Sequence, residues 1–204
     1  RGWLLLAAFR IRFEEETVPM YTAAFEAMQR ERAPARTVPM IEWREEGRVR
    51  RVWDSLAIAE TLAERHPAAG IWPRDRRLRE IARCLAAEMH SGFEVLRRAC
   101  PMNLHRDGRP LPEPPDGLEA DLDRLAALWT WALAETGGPW LAGPEFSAAD
   151  AFHAPVATRL RSYALVRPET AGYAERVLGH EAVRRWTGSA RADPRRIARY
   201  EEMP

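Results

Sequence analysis

Pro39 stands second in the apolar run Val38-Pro39-Met40-Ile41. A residue with a fixed φ and no N–H cannot donate to a sheet ladder, so the run can only begin a strand or lie at its edge, and a strand is expected from about Met40. Glu45-Glu46-Gly47 supplies a turn, and Val49 and Val52-Trp53 the returning strand. Asp54 and Ser55 then precede Leu56, Ile58, Ala59, Leu62 and Ala63, apolar at helical spacing, with His66-Pro67 as the stop. A hydroxyl and a carboxylate at the mouth of a helix are an ordinary N-cap when met alone. The same mouth has free N–H groups and a positive dipole end, so it can also receive a carboxylate ligand.

The ordered set of Val38-Pro39, hairpin, Asp54, Ser55 and amphipathic helix closely resembles the glutathione-binding half of the cytosolic glutathione S-transferases, in particular the bacterial beta- and zeta-like members. That resemblance implies a cis bond at Pro39, which exposes the main chain of Val38 to pair with the cysteinyl part of glutathione. It also implies that Asp54 meets the α-amino group and that Ser55 offers hydroxyl and amide donors to the α-carboxylate. The family more often has Glu or Gln where Asp54 stands.

Length and composition leave room for two small domains: 204 residues, 46% hydrophobic and 30% charged, too apolar for disorder. With 31 basic residues, all Arg, against 30 acidic ones, no polyanionic partner is implied. The pairs Arg76-Arg77, Arg97-Arg98 and Arg195-Arg196 are interleaved with acids and read as solvated helix faces, not nucleic-acid contacts. Cys84 and Cys100 are the only cysteines. Placed on one long helix they lie roughly 24 Å apart in rise and cannot pair, which suits a reducing, cytoplasmic compartment. Trp3 to Phe9 is apolar but too short to span a bilayer. No membrane segment is read, and no two of the five histidines have metal-ligand spacing on one helix face.

In chain order, Trp3 to Phe9 reads as a buried helix followed by a strand at about Ile11 to Glu15, and Ala23 to Arg30 as a short helix. The thioredoxin-like half that the resemblance implies has its first strand in the middle of the sheet, ahead of the first helix. A sheet without it would leave two rows of backbone groups unpaired, so that strand and the family's thiol-activating Ser, Tyr or Cys are expected upstream of Arg1. Pro67 to Pro73 is the clearest linker. The expected domains are therefore 1–66 and 75–204, joined by 67–74.

From Asp75, an N-cap, to about Ala99 one long helix is predicted, its stripe being Leu78, Ile81, Leu85, Met89, Phe93 and Leu96. His90 lies about 140° from the middle of that stripe and so faces solvent or a cleft. The surrounding Ala87 to Phe93 resembles the helix of beta-class transferases whose His approaches the glutathione sulfur; His90 is accordingly a candidate active-site neighbour or a plain surface residue. Residues 101–117 form a long Pro- and Gly-rich loop, after which Asp116 is expected to cap a helix ended by Gly137-Gly138. Ser147 and Asp150 form a capping box with Phe146 as its staple, at the start of a buried helix containing Pro155. A helical pair at about Pro168 to Leu178 and Glu181 to Ala192 follows, and the tail from Asp193 is a surface wrap.

The predicted architecture is a thioredoxin-like α/β half followed by an all-helical half, the glutathione S-transferase fold. The resemblance implies a homodimer that conjugates the glutathione thiolate to small electrophiles held between the halves, with glutathione as co-substrate. A glutathione-dependent isomerase or thiol-disulfide reductase, or a non-catalytic binding module, stays open beside it.

Overall fold

The computed structural model of the chain describes residues 1–106 and 108–201. It divides into two compact units, Arg1–Ile71 and Trp72–Pro204.

The first unit contains α1 (Gly2–Ala7), α2 (Ala23–Glu31), β1 (Met40–Glu45), β2 (Arg48–Trp53) and α3 (Ser55–Arg65), then a single 3₁₀ turn at Pro67–Ala69. The strands form an antiparallel hairpin in which Met40 pairs with Trp53 and Glu45 with Arg48. Glu46 and Gly47 both take positive φ at its turn, as a two-residue hairpin loop demands. α3 packs on β2 and on α1, burying Leu4, Leu5, Ile58, Ala59 and Leu62.

One predicted element is absent. Residues 11–15 are not a strand, because a strand exists only as part of a ladder and this segment has no ladder partner among the described residues. Ile11 to Thr17 and Met40 to Trp43 both line a groove of about 790 Å³.

The second unit is helical: α4 (Arg76–Ser91), α5 (Glu94–Ala99), α6 (Leu118–Thr136), α7 (Ala148–Ser162), α8 (Pro168–Gly179), α9 (Glu181–Ala192) and α10 (Ala198–Glu201). α7 is its axis, buried continuously from Ala148 to Thr158 and packed on α4 and α8. Its start is held by the capping box: Asp150 Oδ2 accepts from the Ser147 N–H at 2.9 Å and hydroxyl at 3.0 Å. Asp150 Oδ1 accepts from the Leu141 N–H at 3.0 Å. Four donors in all, Tyr173 included, surround a carboxylate with no exposed surface, which is what a buried charge requires.

The single long helix expected from Asp75 to Ala99 is two helices. Gly92 and Phe93 separate α4 from α5, with Phe93 in the left-handed region at φ 58°. The apolar stripe continues through the break, since Met89, Phe93 and Leu96 are all buried. Periodicity therefore ran on where the axis did not. The N–H of Leu96 is met by Asp121 Oδ2 of α6 at 2.9 Å, a partner supplied from another element to a new helix start. Cys84 and Cys100 accordingly lie on different elements, the first exposed and the second buried, both free thiols. The cap of α6 is Gly117, at φ 85°, in place of Asp116. Among the described residues no helix is long and apolar enough to cross a membrane, and no cluster of three His, Cys, Asp or Glu could hold a metal.

Candidate functional site

The hairpin register places the ends of the two strands side by side. Met40 opposite Trp53 sets Val38-Pro39, just ahead of β1, beside Asp54-Ser55, just after β2. The Val38–Pro39 peptide is cis. Val38 lies outside the β1–β2 pairing, at the open end of the hairpin, and is 48% exposed.

Asp54 turns the chain from strand to helix with φ 71° and ψ 132°. A non-glycine residue rarely holds positive φ, and such backbone strain concentrates at ligand clamps and active sites. Part of its compensation is visible: Asp54 Oδ1 accepts from the Leu56 N–H at 2.8 Å, capping α3. Ser55 is the first helical residue and is 93% shielded from solvent, its relative exposure being 7%. The first turn of α3 carries no acidic residue. The Asp54 carboxylate therefore meets part of the positive end of α3, and the remaining N–H groups of its first turn lie beside the exposed Val38 segment, an arrangement with both donors and an acceptor for a zwitterionic ligand end.

Gly2 completes this corner, and reasoning from the sequence did not single it out. A Cβ there would stand 2.5 Å from Pro39 Cγ and 3.7 Å from Ile58 Cδ1. α1 can approach the Pro39 ring this closely only because position 2 has no side chain. The available signal was a lone glycine at the mouth of an otherwise bulky apolar helix.

Val38, Pro39, Asp54 and Ser55 thus share one corner of the first unit. His90 belongs to the second unit, in the last turn of α4. It is half-buried, with its ring edge-on to Phe152 of α7 at 6.4 Å between centroids. Its carbonyl accepts from Arg97 Nη1 at 2.9 Å. Phe152 is the neighbour the stripe angle did not anticipate, supplied by α7, which packs on α4.

Residues 1–65 match the family model described as glutathione S-transferase, N-terminal domain. No curated protein sequence matches the chain. Among solved structures, maleylacetoacetate isomerase from Anaeromyxobacter dehalogenans 2CP-1, with glutathione bound in its active site, is 26% identical over 89% of this chain and 86% of that one, with a TM-score of 0.63. Glutathione transferase Omega 1C from Trametes versicolor aligns over 99% of this chain and 91% of its own at TM-score 0.71 and 18% identity. A glutathione transferase from Methylococcus capsulatus str. Bath aligns over 94% and 93% at TM-score 0.64 and 21% identity. The fold, a small thioredoxin-like domain followed by a helical half, is the one these proteins share.

Proposed function

We propose that this chain, which carries a glutathione S-transferase N-terminal domain on a glutathione S-transferase fold, binds glutathione at the Val38 to Ser55 corner and acts as a glutathione-dependent enzyme. The observation that carries the reading is the register of Met40 against Trp53, which brings a cis Val38–Pro39 bond beside a strained Asp54 and the N-terminus of α3. The residues fit the ligand's groups. The main chain of Val38 pairs with the cysteinyl peptide, Ser55 donates to the α-carboxylate, and the carboxylate of Asp54 meets the α-amino group.

Glutathione supplies the thiol, whose pKa of about 8.5 when free leaves it mostly protonated at neutral pH. The chain's own residues bind and orient the tripeptide so that the thiol attacks a small electrophile. His90 enters the proposal through the resemblance of its helix alone, as a neighbour of that thiol. The working form is a homodimer, and two free thiols, Cys84 and Cys100, suit a reducing cytoplasm.

A second reading has its own support: the isomerase with bound glutathione is among the structures most alike in sequence. Turnover of a maleyl-type substrate without net conjugate would favour isomerisation over conjugation.

The test is calorimetric titration of glutathione into the full chain and into Ser55→Ala. Saturable one-to-one binding that weakens by about 1.5–3 kcal/mol in the variant, the usual loss of a charged hydrogen bond, is expected. A folded protein that does not bind glutathione overturns the reading and leaves the fold untouched.

A further inference from the structure

Three arginines that reach across the helical unit find carboxylates there, whereas Arg176 and Arg191 meet the carbonyls of Pro139 and Leu104. Arg77 pairs with Glu135, Arg124 holds Glu88 by two bonds, and Arg167 meets Glu119 and Asp123. Around Cys100 three more arginines meet carbonyls. Arg159 Nε donates to the Cys100 carbonyl at 2.7 Å, and its Nη1 reaches the Pro155 carbonyl only at 3.5 Å. Arg97 Nη1 donates to the carbonyls of His90 and Gly92 at 2.9 and 3.3 Å. Arg106 donates to the carbonyls of Arg109 and Pro110, with its guanidinium over the Tyr163 ring at 4.4 Å from the centroid. Among the described residues, none of these three guanidinium groups has a carboxylate within ion-pair distance.

They are also neighbours. Arg97 and Cys100 are one turn apart at the end of α5, and Arg159 reaches Cys100 from α7. Tyr163, on which Arg106 lies, donates its hydroxyl to the Pro101 carbonyl at 3.0 Å. Burial, and then the like charge of Arg97, push the Arg159 guanidinium below its ordinary range. Carbonyl dipoles compensate such a group in part, but a guanidinium has five donors and a full charge. Among the described residues, Glu201, whose Oε1 accepts from Asn103 at 3.2 Å, and Tyr200 also act on the patch.

We propose that the patch formed by Arg97, Arg106 and Arg159, at the junction of α5, residues 100–106 and the last turn of α7, is a binding site for a small oxyanion, a carboxylate or a phosphate. The planar fork of a half-buried arginine favours two parallel bonds to such a group. Two further guanidinium groups supply charge that screening does not remove at contact distance. The site lies wholly within the helical unit and does not depend on the glutathione corner.

The test is calorimetric titration of the full-length protein with succinate and, separately, with inorganic phosphate, at ionic strength held constant with chloride. Saturable binding of one of them is expected, and which one binds identifies the anion's class. Arg159→Gln is expected to weaken it about tenfold or more, the loss of one charged hydrogen bond. Arg97→Gln, whose side chain is exposed, serves where Arg159→Gln does not fold, and is expected to weaken binding severalfold. Arg124→Gln should leave it unchanged. Absence of binding by both anions, or equal binding by wild type and Arg97→Gln, overturns the proposal; either outcome leaves the glutathione titration to stand on its own.

Discussion

The Tyr173 hydroxyl donates to Asp150 Oδ1 at 2.8 Å, tying α8 to the first turn of α7. Neither residue is more than marginally exposed, and the same Asp150 oxygen holds the Leu141 N–H. Tyr173→Phe removes one of four donors to a buried carboxylate while keeping the ring that lies 4.6 Å from Trp129. A loss of roughly 1.5–3 kcal/mol is expected, read as a lower denaturant midpoint with unchanged slope. Asp150→Ala, which strands the remaining donors, should cost more than Tyr173→Phe.

Gly2 controls the glutathione corner from behind. Gly2→Ala places a methyl group 2.5 Å from Pro39 Cγ, inside contact distance, so α1 or the Val38–Pro39 segment must shift. Overpacking of this kind costs about 1–3 kcal/mol. A lower melting temperature together with weaker glutathione binding is the expected pair of results, whereas Gly179→Ala, at a position with nothing within 4 Å, should change neither.

The two cysteines should separate cleanly by reactivity. Cys84 is exposed, whereas Cys100 is fully buried with its thiol pushed up to about 11 by desolvation, against the opposing pull of Arg159 and Arg106. The thiolate is the reactive form. An aromatic disulfide reagent should label one thiol per chain promptly and the second only in denaturant, with mass spectrometry locating the first label on Cys84.

His180 makes the helical unit sensitive to mild acid. Its ring stacks on Phe146 at 4.1 Å, and its Nδ1 accepts from the Ala182 N–H at 3.3 Å, capping α9. Burial holds its pKa below the ordinary 6.5, with Glu181 pulling weakly the other way. A depressed folded-state pKa means that the neutral form is the one the fold favours. The contribution is complete above the unfolded value and is lost as pH falls through the folded one. Stability of the wild type should therefore drop between neutral and mildly acidic pH by more than that of His180→Gln. At neutral pH the variant should be the less stable by roughly 1 kcal/mol, the value of a cap.

Much of the site was legible because its parts are local. The hairpin between Met40 and Trp53, the start of α3 after Asp54 and the box at Ser147 and Asp150 each depend on residues a few positions apart, and each formed at the expected place. The features that escaped depend on distant neighbours. The segment after Ile11 has strand-like residues but pairs with nothing described, so its sequence could not decide its state. The break at Gly92 and Phe93 hides inside an unbroken apolar stripe, and only Asp121, far along the chain, supplies the cap that a second helix start uses. The importance of Gly2 is set by a proline 37 positions later (39 − 2), a contact that no window along the chain contains.

The interruption at Phe93 also divides the dynamics of the helical unit. α5 spans six residues, shorter than an isolated helix can sustain, and it is held to α6 through the Asp121 carboxylate at its first turn and by Leu96 beneath it. α4 spans 16 residues and packs on α7 through a longer buried face, Ala82, Leu85, Ala86 and Met89. Amide protons of α5 should therefore exchange with solvent through an opening of their own, at lower free energy than those of α4, and the thiol of Cys100 should be uncovered in the same event.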